Sequence, residues 1–229
     1  KMSACSNDYI YINLFDEENK VSSPEFLSIY LSDRHNGVGG DGVILICPSD
    51  KADAQMRMFN LDGSEGWMCG NGIRCVAKYL FDNGIAKGQK VGEGRYLLHI
   101  DTKSGVKDCT VITKNGLVSK VTVDMGRAEL APEKIPVRLE GEQVVDKPIS
   151  IGGNVYRITC CSMGNPHCTV FVPSVDKLDL QDLGPKFEND PMFPDRVNVS
   201  FVEVIDQHTL KARIWERGSG ETMACGTGT

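Results

Sequence analysis

The sequence predicts an α/β (α+β) fold in two pseudosymmetric domains. Three observations carry this: short β-type runs recur along the 229 residues, one strongly amphipathic helix stands among them, and a strand-loop-cysteine pattern occurs twice. A chain of this length suits one large domain or two of about 110 residues. The repeat favours two, 1–116 and 117–229, the second breaking off after its cysteine-bearing loop.

In chain order, Ser23-Pro24 reads as an N-cap followed by proline at the first helical position, opening a helix through Phe26, Leu27, Tyr30 and Leu31 to about Ser32. A glycine-rich loop, 33–42, follows. Residues 43–47, 55–60, 96–101 and 107–113 are β-branched or alternating and read as strands. Asn115-Gly116 is a hairpin turn signal, with β-type sequence at 117–123 beyond it. Between these strands Ile73, Val76, Ala77, Leu80 and Phe81 share one helical face, and Asn83-Gly84 is a C-terminal stop. The first turn of that helix is Cys69-Gly70-Asn71-Gly72. The second half repeats the β-rich character at 156–161, 168–172, 197–205 and 209–215, with a short helical stretch near 178–183.

The repeat is more informative than any single element. Arg57-Met58-Phe59-Asn60 begins twelve residues before Cys69, and Arg213-Ile214-Trp215-Glu216 begins twelve before Cys225. Each is followed by a Gly/Ser loop and then Cys-Gly-x-Gly. An offset of 156 residues, from 69 to 225, is too long for a solenoid. It implies two similar domains that present the same device across a shared cleft.

A cysteine opening a helix lies beside unpaired backbone N–H groups and the positive end of the helix dipole, which favours thiolate over thiol. The same N–H groups suit a carboxylate. Inverting a stereocentre needs a base on one face of a carbon and an acid on the other, and a thiolate and a thiol are such a pair. The residues therefore point to cofactor-independent racemisation or epimerisation of an amino acid, with Cys69 and Cys225 on opposite sides of its α-carbon.

Composition narrows the classes further. With 31 Asp and Glu against 25 Lys and Arg the net charge is −6, which leaves no basic stripe for nucleic acid. The longest apolar runs, such as 43–47, are too short to span a bilayer, and no leader precedes them, so a soluble, cytoplasmic protein is expected. Nine cysteines without C-x-x-C spacing suggest neither a disulfide framework nor a zinc site. Lys1-Met2 at the start and the glycine-rich 226–229 at the end suggest a piece of a longer chain.

Five blocks resemble the diaminopimelate epimerase family: 33–42 (DRHNGVGGDG), 59–64 (FNLDGS), 68–76 (MCGNGIRCV), 164–167 (GNPH) and 216–228 (ERGSGETMACGTG). The resemblance implies two domains, each a curved, mostly antiparallel sheet wrapped around a central helix. It implies conversion of LL- to meso-diaminopimelate, a step toward lysine and peptidoglycan, without metal or organic cofactor. Cys69 and Cys225 would be the acid/base pair, assisted by His167 and Glu216. Substrate contacts would come from Asn7, Asn60, Asn165, Asn198, Glu216 and Arg217. Gly70, Asn71, Gly226 and Thr227 would cradle the carboxylate. A homodimer is also implied, and no nucleic acid or membrane partner. Three positions depart from the family pattern: 3–6 (SACS) replaces a glycine-containing turn, Trp67 a smaller or acidic residue, and Val197 a threonine.

Rival readings are weaker. The run 37–42 has G-x-G-x-x-G spacing, but its order of helix, loop, strand is wrong for a dinucleotide site. Cys160-Cys161 point to opposite faces of one strand, and His167-Cys168 lacks the surroundings of a cysteine hydrolase. A proline or hydroxyproline racemase of the same fold would be expected to lose Glu216-Arg217. A non-catalytic amino-acid-binding module would not need both cysteines.

Overall fold

In the computed structural model, which describes residues 1–228, the chain separates into two units, Lys1–Met125 and Gly126–Thr229. The first contains β1 (Met2–Ala4), β2 (Asn7–Asn13), α1 (Pro24–Ser32), β3 (Gly42–Cys47), β4 (Ala54–Asn60), β5 (Glu65–Gly66), α2 (Gly70–Asp82), β6 (Gln89–Gly92), β7 (Arg95–Asp101), β8 (Lys107–Lys114) and β9 (Leu117–Val123). The strands form one sheet of order β1-β2-β3-β4-β7-β8-β9, with β5 on β4 and β6 on β7. Two pairings are parallel, β2 with β3 and β4 with β7.

The stripe predicted at 73–81 is the centre of this unit. Ile73, Val76, Ala77 and Leu80 of α2 are fully buried against Ile44, Ile46, Met56, Met58, Leu98, Ile100 and Val111. Burying each large apolar side chain stabilises the unit by about 1.5–3 kcal/mol. Because α2 touches β1 and β2 near one edge and β7, β8 and β9 near the other, the sheet curves around it. Asn83-Gly84 stops the helix as expected: Gly84 takes φ +67° and its N–H bonds to Phe81 O at 3.0 Å. The turn at Asn115-Gly116, with φ of +55° and +81°, joins β8 to β9 within the same sheet. The division between units therefore falls after Met125, beyond the turn where the sequence suggests it. Ser23 makes no side-chain cap, and the helix it precedes is seated by serine. Ser28 Oγ donates to Phe59 O at 3.1 Å and Asn60 O at 2.8 Å, while Phe26 and Tyr30 of α1 are exposed.

The second unit contains β10 (Lys147–Ile151), β11 (Asn154–Ser162), β12 (Pro166–Phe171), α3 (Leu180–Glu188), β13 (Asn198–Asp206), β14 (Thr209–Glu216) and β15 (Gly220–Thr222). These strands pair in sequence order, with β12 and β13 parallel. Asp179 caps α3 through its side chain, accepting from Asp182 N–H at 3.2 Å. The helix runs on through Gly184-Pro185 to Glu188, beyond the stretch near 178–183 that the sequence predicts. Its core contains Phe187 against Phe201, ring centroids 5.4 Å apart, with Val170, Val199 and Trp215.

The repeat extends to topology. In the first unit β2, α1, β3, β4 and β5 form a parallel pair bridged by a helix and then two antiparallel steps. In the second, β12, α3, β13, β14 and β15 do the same. An ion pair repeats with them: Arg57 Nε bonds Glu65 Oε1 at 2.8 Å and Arg213 Nε bonds Glu221 Oε1 at 2.7 Å, each clamping the hairpin that delivers a cysteine.

Candidate active site

Cys69 leaves the β4–β5 hairpin and caps α2. Its backbone is extended (φ −131°, ψ 111°) and its sulfur accepts from Gly72 N–H at 3.2 Å, so the first turn of the helix donates to the sulfur as expected. Glycine is required at 72, because a Cβ there would stand 2.5 Å from Ile44 Cδ1 and 3.4 Å from the sulfur. The Cys69 thiol also donates to Asn7 Oδ1 at 3.3 Å, while Asn7 Nδ2 donates to Asp41 Oδ2 at 2.7 Å. Asn7 is thus beside the sulfur. Asn60, at the end of β4, donates from Nδ2 to Ser64 Oγ at 3.0 Å. Asn71 is buried and accepts from Arg74, whose Nε also donates to Gly70 O at 3.2 Å.

In the second unit, Thr227 collects the residues predicted there. Its hydroxyl is 3.2 Å from Cys225 Sγ, 2.9 Å from His167 Nε2 and 3.2 Å from Asn165 Nδ2. His167 Nε2 also meets Asn165 Oδ1 at 3.0 Å, so Nε2 carries the proton, and the buried Nδ1 has no hydrogen-bond partner among the described residues. Burial, aided by the nearby charge of Arg217, pushes His167 down to about 4, and the imidazole is neutral at pH 7. Burial and then the charge of Glu216 push the Cys225 thiol up, while the Thr227 side chain and the Thr227 and Gly228 backbone act the other way.

The remaining predicted residues form the loop after β14. Glu216 Oε1 accepts from Thr222 Oγ1 at 2.6 Å. Arg217 donates to Asp195 O at 2.7 Å, and its half-buried guanidinium is lowered first by burial and then by Arg196. Asn198 holds the loop itself: Oδ1 accepts from Arg217 N–H at 3.0 Å and Nδ2 donates to Pro166 O at 2.9 Å. Gly226 is exposed in the turn between Cys225 and Thr227.

Two residues the sequence does not single out matter here. Glu188, buried at the end of α3, accepts from Trp215 Nε1 at 2.7 Å, Gly218 N–H at 2.9 Å and Arg196 Nη1 at 3.1 Å, tying the 216–218 loop to the helix. Asp41 stands behind Asn7. A glutamate on the apolar side of a helix followed by Asn-Asp is a readable signal for the first, and Asp41 lies in the glycine-rich loop 33–42.

Of the departures, Cys5 and Ser6 make the β1–β2 turn at φ +52° and +64°, the conformation glycine would adopt without strain. Trp67 is exposed, with Lys103 Nζ 5.8 Å from its ring centre, and Val197 is fully buried in the second core. Among the described residues no helix is long and apolar enough to cross a membrane.

Comparisons with known proteins give the family and the fold. The family model for diaminopimelate epimerase matches residues 1–131 and 159–229. A diaminopimelate epimerase of Agathobacter rectalis is 49% identical over 236 residues, which takes in 100% of this chain and 80% of that protein. One from Acetivibrio thermocellus is 48% identical over 228 residues, with 100% and 78% covered. Among solved structures, a probable proline racemase from Agrobacterium radiobacter has a TM-score of 0.63 at 16% identity, covering 90% of this chain and 67% of that one, and so shares the fold. The chain belongs to the diaminopimelate epimerase family.

Proposed function

We propose that this chain interconverts LL- and meso-diaminopimelate by inverting one α-carbon between two thiols, Cys69 and Cys225. The observation that carries the reading is the duplicated device: in each unit an Arg–Glu-clamped hairpin ends on a cysteine at a glycine-rich turn. One sulfur, as thiolate, removes the α-proton while the other, as thiol, supplies a proton to the opposite face. Negative charge then builds on the substrate carboxylate, where the backbone N–H groups of Gly70, Asn71, Gly226 and Thr227 would meet it already oriented.

Glu216 links substrate choice to ionisation. Its charge disfavours a thiolate at Cys225. A distal ammonium seated on Glu216 offsets that charge, so Cys225 ionises more readily when a doubly headed amino acid is bound. Arg217 and the side-chain amides of Asn60, Asn165 and Asn198 would take the distal carboxylate, the last two through the amide N–H that their protein partners leave over. Neutral His167 positions Thr227, whose hydroxyl donates to the Cys225 sulfur. On this reading the enzyme works in the cytoplasm as a homodimer, without metal or organic cofactor.

The test is turnover of LL-diaminopimelate in deuterated water under reducing conditions, beside Cys69→Ala and Cys225→Ala. Meso product with deuterium at one α-carbon, lost in both variants, is expected. A folded, reduced protein that gives none would refute the substrate and direct the assay to proline and hydroxyproline.

A further inference from the structure

The geometry points to Asp41 as a positioning residue for Cys69: it fixes the Asn7 amide with its oxygen toward the sulfur, which holds the proton on Cys69 in the ligand-free protein. This rests on the reading of Cys69 as one of the two catalytic thiols.

Asp41 is itself held firmly. Its N–H donates to Asp8 O at 2.7 Å, and Arg34 Nη2 bonds its Oδ1 at 3.0 Å while also bonding Asp8 Oδ1 at 2.8 Å. Its other oxygen, Oδ2, accepts from Asp8 N–H at 2.9 Å and Asn7 Nδ2 at 2.7 Å. A carboxylate paired to a guanidinium only accepts, so it selects the NH2 end of the Asn7 amide. The carbonyl end must then face away, toward Cys69 Sγ at 3.3 Å. A carbonyl oxygen bonds S–H and repels S⁻, whereas Gly72 N–H accommodates either form. Asn7 is buried, so water does not readily replace the contact.

On β2, Tyr11 lies near both Cys69 and Cys75, and its hydroxyl is pushed up by burial first and then by Cys75 and Cys69. On α2, Arg74 is engaged by Asn71 and Gly70 O, and it reaches Cys5 at 3.5 Å. On the loop and β1 side, Arg34, Asp8 and Lys1 form the ion-pair cluster behind Asp41. Cys225 differs in kind, since the group at its sulfur, the Thr227 hydroxyl, is able to donate.

The experiment follows alkylation of Cys69 and Cys225 by iodoacetamide against pH, resolved by peptide mass spectrometry on the ligand-free full chain. Wild type is compared with Asp41→Ala, Asn7→Ala and the double variant, each checked for folding by circular dichroism. In Asp41→Ala the released amide turns its NH2 toward the sulfur, and in Asn7→Ala the acceptor is gone. Each is expected to lower the Cys69 midpoint by about one pH unit, the size of one hydrogen bond made by a single protonation state. The Cys225 midpoint stays in place, and the double variant moves no further than Asn7→Ala. An unmoved Cys69 midpoint in folded Asp41→Ala overturns the proposal. If Asp41→Ala does not fold, Asn7→Ala decides alone: a lowered midpoint upholds the proposal and an unmoved one overturns it. No turnover enters this readout, so failure of the proposed reaction registers separately, in the deuterium assay.

Discussion

Substituting Gly184 by alanine sets two effects of opposite sign against each other. Helix propensity alone favours Gly184→Ala by about 1 kcal/mol. The structure opposes it, because a Cβ at 184 would stand 2.2 Å from Trp215 Cδ2, 2.5 Å from Cε3 and 2.6 Å from Cγ. The indole has little room to yield, being buried and donating from Nε1 to Glu188 Oε2 at 2.7 Å. Forcing a methyl into such packing costs about 1–3 kcal/mol. Displacing the ring also breaks a hydrogen bond to a buried carboxylate, about 1.5–3 kcal/mol more. The clash wins, for a net loss of about 1.5–5 kcal/mol and a fall in melting temperature of roughly 3–20 °C. Urea unfolding followed by circular dichroism should show a lower midpoint at unchanged slope. Because Glu188 also accepts from Gly218 N–H, kcat should fall with stability as the 216–218 loop loosens. A Gly184→Ala protein as stable as the parent, or more so, would refute the packing argument and leave propensity in command.

His167 couples stability to pH. Its folded pKa, about 4, lies below the unfolded value near 6.5, so the unfolded chain takes up the proton first as pH falls. The contribution is fully present above pH 6.5 and is lost between about 6.5 and 4, amounting to roughly 3 kcal/mol, and His167→Gln should flatten that part of the stability-pH curve. Glu216→Gln removes the like charge beside Cys225, so peptide-resolved alkylation of Cys225 at pH 8 should speed up while kcat/KM for diaminopimelate falls. At the β1–β2 turn, replacing Cys5-Ser6 by Asn-Gly supplies residues that accept positive φ and should raise the urea midpoint by about 1 kcal/mol equivalent.

What could be read from the sequence was what repeats or has a short period. The α2 stripe and its Asn83-Gly84 stop are local patterns, and the structure buries that stripe fully. The Arg-x-x-x strand, loop and Cys-Gly-x-Gly pattern was legible because it occurs twice, and it marked both cysteines and the hairpins beneath them. β2 is not among the predicted strands, although Tyr9-Ile10-Tyr11-Ile12 is a plain β-type run. Other features have no local signature. Residues 7, 41 and 69 are brought together by a parallel β2–β3 pairing and by the return of the chain into α2, so the acceptor at Cys69 exists only in the fold. The role of Gly184 shows only once Trp215 is placed against it.

The same contrast explains why the surroundings of the two cysteines differ although their scaffolds match. The repeat fixes backbone: hairpin, ion-pair clamp and cysteine at equivalent places. Protonation depends on the next side chain out, Asn7 turned by Asp41 in one unit and Thr227 tied to His167 in the other. A symmetric scaffold with identical neighbours would give two thiols of equal acidity and no defined proton donor. Unlike neighbours on like scaffolds give the two sulfurs different surroundings, a carbonyl oxygen at Cys69 and a hydroxyl at Cys225.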